Sequence, residues 1–346
     1  MHIQSYILTI ATLAFALASG LSNVSADELN EAKVTQVVQD VKVVPSGSAA
    51  RPASVNETVR QGNAVQTGTQ SRSELTFRDQ TITRLGEKTI YNIGGGRTIE
   101  LGSGQFLLYV PKKAGGAQIK MGPVTAAITG TTVLGQVYPS GIVEFTVLEG
   151  TACMHLDRMG QSLQVLPGQR VVYDPVYMKL EDPTYVDLQD QLSSPLVRDF
   201  RPLPSAGLIQ GEIHSQRQVA APNGDLDQAV RAAGAASIES ATPDQFMAAF
   251  SSLLVRYPPS QRHVFVAGAV RARPDLADRI QAAARNVHPV RGYYGKDAKD
   301  YKEYKGKEIG EPCPPANQFV IPFIPVPLTP QVPPVSAEQP PDDNID

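Results

Sequence analysis

The stretch Val124–Val137, VTAAITGTTVLGQV, places eight β-branched residues in fourteen positions and is broken by Gly130 and Gly135. It reads as a helix, as a loop whose Gly-Thr backbone holds an anion, or as two short strands meeting at a corner. The flanking sequence bears on the choice. Upstream, SELTF puts Leu75 and Phe77 on one face of a strand, and TIELG does the same with Ile99 and Leu101. Downstream, GIVEFTVLEG sets Val143, Phe145 and Val147 opposite Glu144 and Thr146. Such period-two alternation marks strands with one buried face. Glycines including Gly62, Gly86, Gly102, Gly116, Gly130, Gly141, Gly150 and Gly168 punctuate the region, at the spacing of roughly ten residues found in sandwiches, barrels and small solenoids. The triplet Gly94–Gly96 precedes an alternating strand, so it reads as a hairpin turn; a phosphate cradle would open into a helix N-terminus. From Lys33 to about Asp174 the chain is expected to be all-β.

An internal echo runs through this region. IELGSGQFLLYVP (99–111), VLEGTACMHLD (147–157) and VLPGQRVVYDP (165–175) each show an apolar strand end, a glycine corner and a second apolar strand. Similar units stacked together bury what none buries alone.

The character changes after Tyr173. Pro175, Pro183, Pro195, Pro202 and Pro204 interrupt a stretch without periodicity, which reads as a linker able to wrap the β domain. From Asp225 to Arg285 alanine is abundant, and Phe246, Ala249, Phe250, Leu253 and Leu254 form one helical stripe, with Leu276, Ile280, Ala283 and Ala284 another. Thr242-Pro243-Asp244-Gln245 predicts a helix start with Thr242 as N-cap and Gln245 reaching back. Pro243, Pro259 and Pro274 each open a short helix. Beyond Pro289, charged sequence gives way to proline-dense PPANQFVIPFIPVPL, which favours extended or disordered chain.

The apolar stretch Ile7–Leu21, followed by Val24-Ser25-Ala26, resembles an export leader, although no Lys or Arg precedes it. No later stretch approaches the ~20 apolar residues of a spanning helix. A periplasmic or secreted location follows as the expectation. There Cys153 and Cys313 are free to pair, and the sequence leaves open whether they do. With 31 basic and 34 acidic residues the net charge is −3, far from the basic footprint of a nucleic-acid binder.

Catalytic constellations are scarce: HExxH, G-x-S-x-G, a Walker loop and CxxC are all missing from the sequence. No cofactor is implied. The metal candidates are Cys153, His155 and Asp157 in CMHLD, which would share one side of a strand. The same alternation equally describes a solvated face with Met154 and Leu156 turned inward. Thr129, Thr131 and Thr132 lack a base at a recognisable spacing and read as strand residues. Tyr91, Tyr109 and Tyr138, if exposed, would give a glycan-stacking surface, though the chain has no tryptophan.

These pieces occur in a familiar order. VRQGNAVQTGTQSRSELTFRDQTITRLGEKT, RTIELGSGQFLLYVPK, VTAAITGTTVLGQV, VEFTVLEGTACM and VLPGQRVVY together resemble the FecR-type periplasmic domain. The resemblance implies an all-β domain without catalytic residues. In the founding members it hangs from one transmembrane helix, senses an occupied ferric-citrate receptor and signals to a sigma factor. This sequence shows neither the internal spanning helix nor the anti-sigma segment, so only a binding module is carried over. Within that frame VTAAI and TTVLGQV are two strands, with Gly130 at the corner.

The resulting expectation is an α+β multi-domain chain. A signal peptide (1–26) precedes an all-β FecR-like domain of short strands, sandwich or solenoid-like (33–175). A linker (176–222), a small helical repeat-like bundle (223–288) and a disordered charged and proline-rich tail (289–346) follow. The expected function is non-enzymatic protein interaction or signal sensing in the envelope, with envelope proteins as partners and glycan or polymer binding as the alternative.

Overall fold

The computed structural model describes residues 29–287 and Cys313. The expected leader and, apart from Cys313, the expected tail lie outside the described residues.

Short strands lead up to one long one: β1 (Glu31–Val38), β2 (Val41–Val44), β3 (Arg51–Pro52), β4 (Thr58–Arg60), β5 (Ala64–Thr67), β6 (Arg72–Phe77), β7 (Ile82–Leu85), β8 (Ile90–Ile93) and then β9 (Thr98–Val110). After it come β10 (Ala117–Met121), β11 (Val124–Ile128), β12 (Thr131–Val137), β13 (Val143–Glu149), β14 (Ala152–Leu156), β15 (Gln161–Val165), β16 (Gln169–Asp174), β17 (Lys179–Leu180) and β18 (Thr184–Tyr185).

They form two sheets that share β9. Sheet I runs β4-β1-β6-β7-β9-β12-β13-β16, with β17 and β18 along its last edge. Sheet II runs β3-β2-β5-β8-β9-β10-β11-β14-β15. The β9–β10 pair is parallel. The first part of β9 pairs with β8 and β10, and from Gly104 onward it pairs with β12. Gly94–Gly96 lie in the β8–β9 hairpin turn, where Gly94 N–H donates to Thr98 O at 3.1 Å.

The opening stretch is two strands in different sheets. β11 belongs to sheet II and β12 to sheet I, and the chain turns between them at Gly130, with φ of +62°. A Cβ there would lie 2.6 Å from Lys112 Cγ. The neighbouring corner, from β13 back to β14, uses Gly150, whose Cβ would lie 2.6 Å from Gly130 O. Thr131 Oγ1 donates to Thr151 O at 2.7 Å and ties the two corners together. The internal echo has the same physical origin. Each of its three segments is one crossing between the sheets, and glycine sits where the backbone leaves one pleat for the other.

Alternation along the strands sorts side chains into two cores. Phe106, Leu108, Val110, Val133, Phe145 and Val147 face inward, meeting Ile119, Met121, Val124 and Met154 of sheet II. Leu107, Tyr109, Leu134 and Leu148 project from the other face of sheet I into a second apolar layer.

That layer is completed by the stretch expected as a linker. Residues 176–222 carry α1 (Leu188–Gln191), α2 (Pro195–Arg198) and α3 (Ala206–Val219). Leu188, Leu196, Phe200, Leu203, Ile209 and Ile213 from this stretch are buried against sheet I. Sequence periodicity missed these helices because two of them span a single turn. The prolines also misled: Pro195 occupies the first turn of α2, where proline costs no hydrogen bond, with Ser194 as the cap.

Four further helices follow among the described residues: α4 (Asp225–Ala232), α5 (Pro243–Leu254), α6 (Arg262–Ala272) and α7 (Ala277–Val287). The capping box at Thr242 and Gln245 is present. Pro259 and Pro274 open 3₁₀ turns leading into α6 and α7. Phe246, Phe250, Phe265 and Ile280 are fully buried in a third apolar cluster, which Val219 of α3 joins. A Cβ at Gly268 would lie 2.6 Å from Gln216 O, so α6 approaches α3 to backbone contact. Gln216 also accepts from Leu188 N–H at 3.0 Å and donates to Val186 O at 3.2 Å. The first helices thus bridge the sandwich and the later ones.

Candidate functional site

The metal candidates do not converge. Cys153 forms a disulfide with Cys313, with Cα atoms 5.6 Å apart, which resolves the pairing that the sequence left open. His155 is buried, and its Nδ1 lies 2.6 Å from Ser162 Oγ on β15. Asp157 lies past the end of β14, in a 3₁₀ turn, so the strand alternation that would align it with the other two has ended. Met154 and Leu156 point into the core. Among the described residues no group of three His, Cys, Asp or Glu side chains could hold a metal ion.

The tyrosines do not form a platform either. Tyr91 is fully buried, and its hydroxyl lies 3.0 Å from Thr83 Oγ1. Burial raises its pKa far above the ordinary phenol value. Tyr109 packs half-buried in the layer under the helices. Tyr138 is half-buried at a loop.

The polar chemistry gathers instead where sheet I meets the helical segment. Arg84 on β7 is 1% exposed. Its Nε donates to Glu74 Oε2 of β6 at 2.9 Å, and Nη1 donates to Leu196 O at 3.0 Å. Nη2 donates to Arg201 O, and the guanidinium lies 4.8 Å from the centre of the Phe200 ring. Glu74, also buried, accepts from Thr35 Oγ1 at 2.9 Å and faces Arg201 Nη2 at 3.5 Å. Burial pulls the pKa of Arg84 below its ordinary value, and Glu74 opposes that shift by hydrogen bond and charge. A planar guanidinium serves here because it satisfies a carboxylate and two carbonyls at once. At the rim, Arg72 pairs with Asp199 at 3.1 Å.

A second cluster sits at the start of α3. Thr132 Oγ1 donates to Glu149 Oε1 at 2.7 Å and lies 2.7 Å from Ser205 Oγ. A register shift between Thr132 and Val133 places Glu149 opposite Thr132, so Leu148 and Glu149 both turn toward the helices. Burial raises the pKa of Glu149, against the Thr132 hydrogen bond and the charge of Lys112. Glu212 on α3 is raised as well, first by burial and then by the Glu149 charge. Two carboxylates therefore share the seam between sheet and helix.

Beside the Arg84 cluster lies an open polar groove of about 440 Å³, lined by Gln39, Gln70, Arg72, Glu87, Gln105 and Leu196 among others. Side-chain amides line it, which suits hydrogen bonding to a peptide-like partner. Arg84 and Glu74 are consumed in holding the α2 region to sheet I.

Sequence reasoning missed both clusters. The available signal was that β7 and β13 carry buried residues on both faces, as ITRL and TVLE show when followed residue by residue.

Residues 63–153 match the family described as FecR protein. No curated protein matches the chain. Among solved structures, two crystal structures of a candidate anti-sigma factor from Parabacteroides distasonis ATCC 8503 share 13% identity, each with a TM-score of 0.33. The similarity covers 36% of this chain and 61% of theirs, so the chain spans about three fifths of the length of those relatives.

Proposed function

Because residues 63–153 carry a FecR-type domain, we propose that this chain is a non-enzymatic sensing or interaction module of the cell envelope, acting by protein contact. The family match is the observation that carries the reading. Supporting it, the buried charged groups hold sheet I to the helical segment, and the adjacent groove offers amide side chains to a partner.

Domain organisation is part of the same proposal. The β domain ends near residue 185, after the edge strands β17 and β18, residues 188–219 form the seam that couples it to the helices, and a helical unit from residue 225 onward follows. The leader-like sequence supports a location in the periplasm or outside the cell. No helix among the described residues is long and apolar enough to cross a membrane. Glycan binding is not carried forward, since Tyr91 is inside the core.

The test is a binding measurement. Purified chain bearing a photo-crosslinker at Gln70 or Gln105 should capture one envelope protein saturably, and Gln70→Ala/Gln105→Ala should weaken that complex by at least about tenfold without lowering Tm. Turnover of an envelope substrate by the purified chain, abolished by a sandwich substitution that leaves it folded, would overturn the reading.

A further inference from the structure

Of the eight exposed large hydrophobic residues among those described, Val55, Ile90, Leu208 and Val255 fall in other segments, and four fall together. These four, Met159, Val176, Tyr177 and Met178, fall in two loop tips, at 56%, 80%, 69% and 56% exposure. Single exposed apolar residues are ordinary, whereas a cluster marks a contact surface.

The two tips are neighbours. Leu180, two residues after Met178, donates its N–H to Gln161 Oε1 at 2.9 Å, and Gln161 lies two residues after Met159. A third loop joins them: a Cβ on Gly141 would lie 3.7 Å from Pro175 Cβ. That loop, Tyr138-Pro139-Ser140-Gly141-Ile142, carries no charge. Three connections therefore meet at one end of the sandwich.

Charge at this end follows a pattern. Arg158 and Lys179 are exposed immediately beside the apolar tips, and Lys179 Nζ lies 5.4 Å from the centre of the Tyr177 ring. Asp174 is turned to its own loop, accepting from Val176 N–H at 2.7 Å and Tyr177 N–H at 3.4 Å. Glu181 and Asp182 follow β17, Asp157 precedes Arg158 in the chain, and Glu144 is engaged by a hydrogen bond with Tyr138. The outermost layer is apolar with Tyr177, and Arg158 and Lys179 stand next to it. Tyrosine and long cationic side chains suit the boundary between headgroups and acyl chains. Cations flanking it complement anionic phosphate headgroups.

We propose that this end of the sandwich docks on a phospholipid surface. Val176, Tyr177, Met178 and Met159 enter the interfacial layer, and Arg158 and Lys179 meet the phosphates. Such docking orients the amide-lined groove relative to the membrane, and it goes beyond the protein-contact function proposed above.

The chain contains no tryptophan, so the indole introduced by Val176→Trp reports on this tip against a dark background. The full-length Val176→Trp variant is mixed with phosphatidylcholine vesicles containing about 30% phosphatidylglycerol, which supplies the anionic headgroups. Its indole emission should shift to the blue and be quenched by brominated lipid. Val255→Trp, at an exposed site on the helical part, should stay unshifted, which separates docking by the tip from adhesion elsewhere on the chain. Adding Lys179→Glu to the Val176→Trp variant should weaken binding to the anionic vesicles several-fold and leave binding to neutral ones unchanged. Unaltered emission from the Val176→Trp variant with both vesicle types would overturn the proposal. So would self-association abolished by Val176→Asp/Met178→Asp in the absence of any vesicle response, which would assign the patch to contact between copies.

Discussion

Replacing Arg84 by methionine should be among the most damaging single changes on the sandwich. The substitution preserves an unbranched stem but removes the 2.9 Å ion pair to Glu74 and the donors to Leu196 O and Arg201 O. Glu74 would remain buried, holding a hydroxyl from Thr35 and the distant Arg201, whose side chain is 79% exposed. Removing one partner of a buried pair costs about 3–5 kcal/mol, because the remaining charge is uncompensated. Single domains are stable by only about 5–15 kcal/mol, so the loss should be plain in urea denaturation followed by circular dichroism. Arg84→Met/Glu74→Leu should recover at least ~2 kcal/mol of it, since the apolar pair leaves no buried charge. Arg201→Ala should change stability by less than ~1 kcal/mol, as expected of an exposed partner. A cost below ~1 kcal/mol for Arg84→Met would refute the argument that this guanidinium clamps the helical segment to the sheet.

Further outcomes follow from the corners and the titrating groups. Gly130→Val should destabilise by at least ~1 kcal/mol, since valine disfavours positive φ and its Cβ would press on Lys112; an unchanged Tm would show that the corner tolerates a side chain. Glu149 has its pKa raised in the fold, so its contribution is complete in acid and is lost as pH rises through the raised value. Glu149→Gln should therefore gain stability relative to wild type at neutral pH and flatten the profile across the carboxylate range; an identical profile would contradict the assignment. His263 has the opposite sign. Burial pulls its pKa down to about 4, so the unfolded chain protonates first, and stability falls as pH drops from ~6.5 toward that value, by up to about 3 kcal/mol. His263→Gln should remove that acid-side loss, and urea midpoints at about pH 7 and about pH 4.5 measure it.

Much of the sandwich was legible because its determinants are local. Strand alternation and glycine corners leave a period-two record, and Gly130 was readable as a turning point from VTAAITGTTVLGQV alone. The start of α5 was legible for the same reason, through Thr242, Pro243 and Gln245. What stayed hidden depends on contacts distant in sequence. Arg84 meets Leu196 O across 112 positions, and nothing near Arg84 in the chain distinguishes it from a surface residue. Helices α1 and α2 were masked by single-turn length and by prolines that start helices as readily as they end them. The Cys153–Cys313 pairing was open because spacing alone does not report which strand a distant cysteine returns to. Tyr91 shows the converse error, in that a polar tip suggested exposure while its hydroxyl is satisfied inside by Thr83.

Amide hydrogen exchange across residues 186–219 tests most directly whether sandwich and helices act as one coupled unit. The buried seam of Leu188, Leu196, Ile209 and Ile213 predicts that α3 is protected to within about 1 kcal/mol of β9 and β12, and that Arg84→Met lowers protection of both together. Exchange of Ile209–Val219 within seconds while β9 remains protected would show that the helical segment is a loose appendage, and the clamp would have no role in coupling.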